Sequence, residues 1–280
     1  MVAIGEGAIL RPMPPRASLI VSTFNQPHVL DLSLQSLASQ SSLDFEVLVA
    51  DLGAGLEVAE CIRERAARGP ARIEHVPQPD GRRANALNRA VLRSRGEHLV
   101  FLSGRSIAPR GFVEAHLRAR RERRYLVGGC IERSPDDPER LDALLRRIVE
   151  NARYRIQALG IALGWPERPV TEGHSFSVDR ESFFRVNGYD QSLSDAAGQE
   201  LDLRQRLQIA GLHPRPLGPA ARIRLLGGEL RGVRVEREEA PVTTQGYALK
   251  REAALGLREL AESLRREVEP TASPFSSRSL

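Results

Sequence analysis

A serine and an arginine stand where an apolar run stops. The stretch Gly96 to Pro109, GEHLVFLSGRSIAP, passes from Leu99–Leu102 directly into Ser103, Gly104, Arg105 and Ser106. The run has the length of a buried strand, and the change to small polar and cationic residues marks its end. Ligands of open α/β sheets lie beyond the carboxyl ends of the strands, so a bound molecule is expected beside Ser103 and Arg105. Arg82 and Arg83 follow Gly81 at the start of a helical stretch, where a helix N-terminus and cations both favour phosphate. Solvated surface explains the same pair equally well. Glu200 and Asp202 lie two residues apart on another helical stretch. Carboxylates can take up a proton, but they also cap helices, and Asp202 is spaced to pair with Arg206 at i+4.

The rest of the chain must position these groups. Its 280 residues fit one large domain, or one with appendages, and with 41% apolar and 28% charged residues the composition is that of an ordinary globular protein. No apolar run approaches the roughly 20 residues that span a bilayer. The start, MVAIGEGAILRPMPPR, lacks a basic segment followed by a long apolar one, so the expected location is cytoplasmic. Cys61 and Cys130 show no ligand-like spacing and read as buried thiols. The net charge is +5, and Lys250 is the only lysine, so the cationic groups are nearly all arginines, which suit bidentate contacts with phosphate or carboxylate. Nucleic acid is not an expected partner, because 5% aromatic residues is few for a base-stacking surface.

Strands are expected at Ala17–Val21, Phe45–Ala50, Arg72–Val76, Leu99–Leu102, Tyr125–Cys130 and Phe176–Val178. Helices are expected at His28–Ser39, Leu56–Ala67, Arg83–Ser94, Gly111–Arg123, Pro138–Leu159, Glu181–Val186, Gly198–Ala210 and Gln245–Val268. Strands alternating with helices imply right-handed crossovers and an α/β fold with a mainly parallel sheet. The organisation expected is a loose N-terminus over 1–16, a main domain over 17–228, an extension over 229–268 carrying the last helix, and a disordered tail over 269–280. That last helix suits a protein partner or peripheral contact with the inner membrane face, although its mixed charges favour packing within the chain.

Taken in order, the motifs resemble family 2 glycosyltransferases with the GT-A nucleotide-sugar fold. ASLIVSTFNQPHVLDLSLQSLASQ is similar to that family's first strand, turn and helix. FEVLVADLGAG resembles its second strand and acidic turn, and DGRRANALNRAVLRSRGEHLVFL its Gly-Lys-Ala-x-Ala-Leu-Asn helix and following strand. GHSFSVDRESFFRVNGYD resembles the acceptor-side segment, and AGQELDLRQRLQIAGL the acidic helix bearing the catalytic base.

The resemblance implies a nucleotide-diphosphate sugar donor, an unidentified acceptor, and inverting transfer. It implies Thr23, Asn25 and Asp51 on the nucleotide side, Arg82, Arg83, Ser103 and Arg105 at the donor, Asp179 and Arg180 toward the acceptor, and Glu200 with Asp202 at the base position. The family's divalent metal is held by an Asp-x-Asp motif, where this chain reads Ser103-Gly104-Arg105. A downstream histidine that completes the metal site in many relatives is also replaced, by Arg224 and Leu225. No cofactor is therefore expected. Arg105 could neutralise a diphosphate in the metal's place, or it could point to solvent or pair with Glu200 or Asp202. Two functions remain open: a metal-independent transferase, and a degenerate domain that binds nucleotide or scaffolds another protein.

Overall fold

The computed structural model describes residues 13–133, 175–226, 228–230, 233–235 and 250–268. The first half alternates as its apolar runs require: β1 (Ala17–Thr23), α1 (Pro27–Ala38), β2 (Phe45–Asp51), α2 (Leu56–Arg68), β3 (Arg72–Pro77), α3 (Arg83–Arg93) and β4 (His98–Ser103). There follow β5 (Ser106–Ile107), α4 (Phe112–Ala119), β6 (Arg124–Val127) and β7 (Cys130–Arg133). The second half holds β8 (Ser175–Asp179), α5 (Arg180–Arg185), α6 (Ala196–Ile209), β9 (His213–Pro216), β10 (Ile223–Leu226), β11 (Gly228–Leu230), β12 (Val233–Val235) and α7 (Leu257–Val268). The expected helix Pro138–Leu159, residues 1–12 and the tail from 269 lie outside the described residues.

Seven strands form the central sheet in the order β3-β2-β1-β4-β8-β6-β9. β1 to β4 are parallel, β8 runs against both β4 and β6, and β9 is parallel to β6, so β8 alone is reversed. Every residue of β1, β2 and β4 is buried, because helices cover both faces. Alternate residues of β1 serve separate cores. Ile20 joins the face packed by α3, α5, α6 and Leu257, and Leu19 and Val21 join the face packed by α1, α2 and α4. α1 starts on Pro27 and buries Val29, Leu30, Leu34 and Leu37, a single stripe at helical spacing. Each such large side chain contributes roughly 1.5–3 kcal/mol on burial.

Three expectations need correction. The single strand at Tyr125–Cys130 is two, β6 and β7, divided at Gly128. That glycine's N–H donates to the Ser175 carbonyl at 2.9 Å, and a Cβ there would lie 2.1 Å from Ser175 Oγ. The described C-terminal helix begins at Leu257, and the expected start at Gln245 lies outside the described residues. Residues 250–256 instead bond the loop after α5, with the Ala253 N–H on Val186 O and the Gln191 N–H on Leu255 O. Cys61 and Cys130, expected as buried thiols, are only half-buried.

Candidate functional site

β1, β2 and β4 end together, with Ser22 opposite Ser103 and Thr23 opposite Asp51. The Gly104 N–H donates to Ser22 O at 2.6 Å, and a Cβ on Gly104 would lie 2.8 Å from that oxygen and 3.2 Å from Thr23 Cβ. Only glycine lets the chain leave β4 so close to the tip of β1. Ser103 Oγ accepts the Arg105 N–H at 3.3 Å.

Asp51 closes the tip of β2. Its Oδ1 accepts the N–H groups of Gly53 and Ala54, both at 3.1 Å, and its Oδ2 lies 2.9 Å from His75 Nε2 on β3. Both oxygens are thus engaged, and the side chain is fully buried. Asn25, with a positive φ of 47°, is exposed beside this turn, and its side chain lies so close to Gly53 that no Cβ fits there.

A cluster of charged and polar side chains joins α3 to α6. Arg83, the first residue of the helix returning from the tip of β3, donates from Nη2 to Glu200 Oε1 at 2.7 Å and from Nη1 to Gln199 Oε1 at 3.2 Å. Tyr189 donates its hydroxyl to the same Oε1 at 3.0 Å, and its ring faces the Arg83 guanidinium at 5.5 Å. Burial, then the Glu200 charge, pushes the Tyr189 phenol well above its usual range. Asn88 fixes Tyr189 from α3, donating to its carbonyl at 2.8 Å and accepting from its N–H at 3.0 Å. Asp195 caps α6 by accepting from the Gly198 N–H at 2.6 Å, which sets the helix turn that carries Gln199 and Glu200. Glu200 is only 5% exposed, and its Oε2 is buried with no hydrogen-bond partner. A carboxylate held by one oxygen and bare at the other can accept a proton at the bare one.

The other acidic and basic candidates are placed differently. Asp202 sits about 200° around α6 from Glu200 and is bound to Arg206. Arg82 is a surface residue paired with Asp80 at 2.7 Å. Asp179 and Arg180, expected toward the acceptor, lie at the opposite end of the sheet from Ser103, because β8 is reversed. Asp179 is opposite His98 at the start of β4, whereas Ser175 is opposite Leu102 near its end. Asp179 binds Arg120 and His98, and Arg180 binds Ser94.

Arg105 is 3% exposed and contacts neither Glu200 nor Asp202. It donates from Nη1 to Leu226 O at 3.0 Å, and its Nε is buried with no hydrogen-bond partner. β5 pairs with β10, placing Ser106 opposite Leu225, so the two segments that the resemblance aligned with metal ligands, Ser103-Gly104-Arg105 and Arg224-Leu225, are neighbours. A serine, a buried guanidinium and a leucine do not fit a divalent cation, since two supply no anionic oxygen and the third repels a cation. Among the described residues no group of three His, Cys, Asp or Glu side chains could hold a metal ion, and no helix is long and apolar enough to cross a membrane.

Sequence reasoning missed Tyr189, Gln199, Asn88 and His75. Tyr189 stood inside the quoted segment ending GYD, and an aromatic residue beside an acid was the available signal.

The sequence profile described as Glycosyl transferase family 2 matches residues 18–184, more than half of the chain. Validoxylamine A glucosyltransferase from Streptomyces hygroscopicus subsp. limoneus is 25% identical over 239 residues, covering 73% of this chain and 52% of that protein. The protein of the same name from subsp. jinggangensis is 25% identical over 226 residues, covering 71% and 52%. The chain therefore spans about half the length of the curated relatives it matches. Among solved structures, mannosyltransferase PcManGT from Pyrobaculum calidifontis, in complex with GDP-Man and Mn2+, superposes with a TM-score of 0.57 at 19% identity over 76% of this chain and 57% of that one. S. aureus TarS 1-349 in complex with UDP gives 0.55 at 13% identity over 75% and 60%. These likenesses bear out the expected GT-A fold.

Proposed function

The chain belongs to glycosyl transferase family 2, and from that premise we propose that it transfers a sugar from a nucleotide-diphosphate donor to an acceptor hydroxyl with inversion and without a metal. The observation that carries this reading is the bare Oε2 of Glu200 beside Arg83, past the carboxyl ends of the strands. The acceptor hydroxyl gives its proton to Glu200 Oε2 as its oxygen bonds to the anomeric carbon from the face opposite the diphosphate. The bond from that carbon to the diphosphate oxygen breaks, and the nucleoside diphosphate departs with the electron pair. Arg83, Arg82 and Arg105 oppose the developing charge, Ser103 lines the same edge, and Thr23, Asn25 and Asp51 flank the nucleoside.

The scaffolding alternative draws on a different observation: both oxygens of Asp51 and one of Glu200 are already engaged. Calorimetric titration with UDP and GDP, in EDTA and then in Mn2+, tests the donor site. We expect binding to at least one, at an affinity that ignores the metal. Absence of binding to both would sink the transferase reading. Turnover of sugar nucleotides should fall by at least about 100-fold in Glu200→Gln. Nucleotide binding with no turnover in the parent protein leaves the scaffolding alternative.

A further inference from the structure

As it stands, the proposed base is closed. Glu200 is almost wholly buried, its Oε2 is out of contact with solvent, and its Oε1 is neutralised by the Arg83 guanidinium. An acceptor hydroxyl cannot reach such a group until something moves. The same Arg83 opens α3 at the edge where a donor diphosphate would lie, so one cation faces two anionic claimants. A guanidinium can satisfy a carboxylate or a diphosphate bidentately, but its fork has a single plane, so full engagement of one weakens its hold on the other.

We propose that Arg83 is a donor-operated latch on Glu200: without donor it pins the carboxylate, and a bound diphosphate draws it away and frees the base. This rests on reading the edge as a nucleotide-sugar site. The consequence is order. The base becomes available only when a sugar is present to be transferred, so donor precedes acceptor. Tyr189 is the positioning residue that holds Oε1 once Arg83 has left, because its hydroxyl bond is independent of the guanidinium and its ring is locked by Phe101 and Phe183.

The latch makes a prediction opposite in sign to ordinary site damage. Glu200 competes with diphosphate for Arg83, so removing its charge must strengthen nucleotide binding. In calorimetry of the full chain with UDP and GDP, Glu200→Gln should tighten Kd about five-fold, and Arg83→Met should weaken it about ten-fold. Adding Glu200→Gln to Arg83→Met should change nothing further. Glu200→Asp, which keeps the charge but withdraws it by one methylene, should tighten binding less than Glu200→Gln, and it is read by the same criterion if the glutamine variant folds poorly. Unchanged or weaker binding in these Glu200 variants overturns the latch while leaving the nucleotide site standing. Absence of binding in the parent protein overturns both.

Discussion

Asp202 and Arg206, one turn apart on α6, form an ion pair closed to water. Arg206 donates to Asp202 Oδ2 from Nε at 2.9 Å and from Nη2 at 2.7 Å, and its Nη1 reaches Val186 O at 2.5 Å. Both residues are buried, and the pair ties α6 to the end of α5. Asp202 is therefore engaged in holding the helix that presents Glu200. Asp202→Ala strands a buried guanidinium and should cost about 3–5 kcal/mol in urea denaturation. The double change to Asp202→Leu and Arg206→Met should cost less than the single one. A double variant as unstable as the single would show that the charge pair is not the reason.

The glycine between Ser103 and Arg105 should be intolerant of a side chain. Gly104→Ala puts a methyl group against Ser22 O and Thr23, forcing the tips of β1 and β4 apart. The expected loss is about 1–3 kcal/mol, with nucleotide affinity reduced in the folded protein. Unaltered affinity would place the ligand away from this edge.

Acid should weaken the fold in two stages. Burial, reinforced by the nearby His98, holds His116 well below the ordinary 6.5, so the folded state keeps it neutral while the unfolded chain takes up a proton. That contribution is present above about pH 6.5 and falls as pH drops below it, by at most about 1.4 kcal/mol per unit. Asp190 follows at lower pH. Burial alone would raise it, but the hydroxyl and N–H of Ser192, the Ala254 N–H and Lys250 bring it from 3.8 to about 2, so its contribution is lost between those values. Stability measured from pH 7 to 5 should flatten in His116→Leu relative to its own value at pH 7; an identical slope would remove His116 as the source.

Cys61 should react slowly. Burial, then the Asp31 charge, pushes its thiol up to about 11, so at pH 8 about one molecule in a thousand carries the thiolate. Alkylation of Cys61 by iodoacetamide, followed by peptide mass spectrometry, should accelerate by about 100-fold on unfolding in urea. Equal rates folded and unfolded would contradict the burial.

The strands and helices of the first hundred residues were legible because their signals are local. Apolar runs such as Phe45–Ala50 and the stripe Val29, Leu30, Leu34, Leu37 carry strand and helix periods within a few residues. β5 and β10 escaped notice because two to four residues are too few to show a period, and β9 because its sequence is HPRP. Site residues at the strand tips were nameable one by one, yet their partners were not. His75 completes Asp51 from the next strand, and Asn88 fixes Tyr189 across 101 residues.

The sequence by itself determined the alternation of strands and helices over the first hundred residues and the mainly parallel sheet, since each follows from local apolar patterning. Tertiary structure decided which charged groups meet. It joined Arg83 to Glu200 across 117 residues, buried Arg105 against Leu226, and carried Asp179 and Arg180 to the opposite end of the sheet. The physical reason is direction: a strand's polarity within a sheet is set by its crossovers and pairing, and reversing one strand exchanges which of its ends faces the ligand.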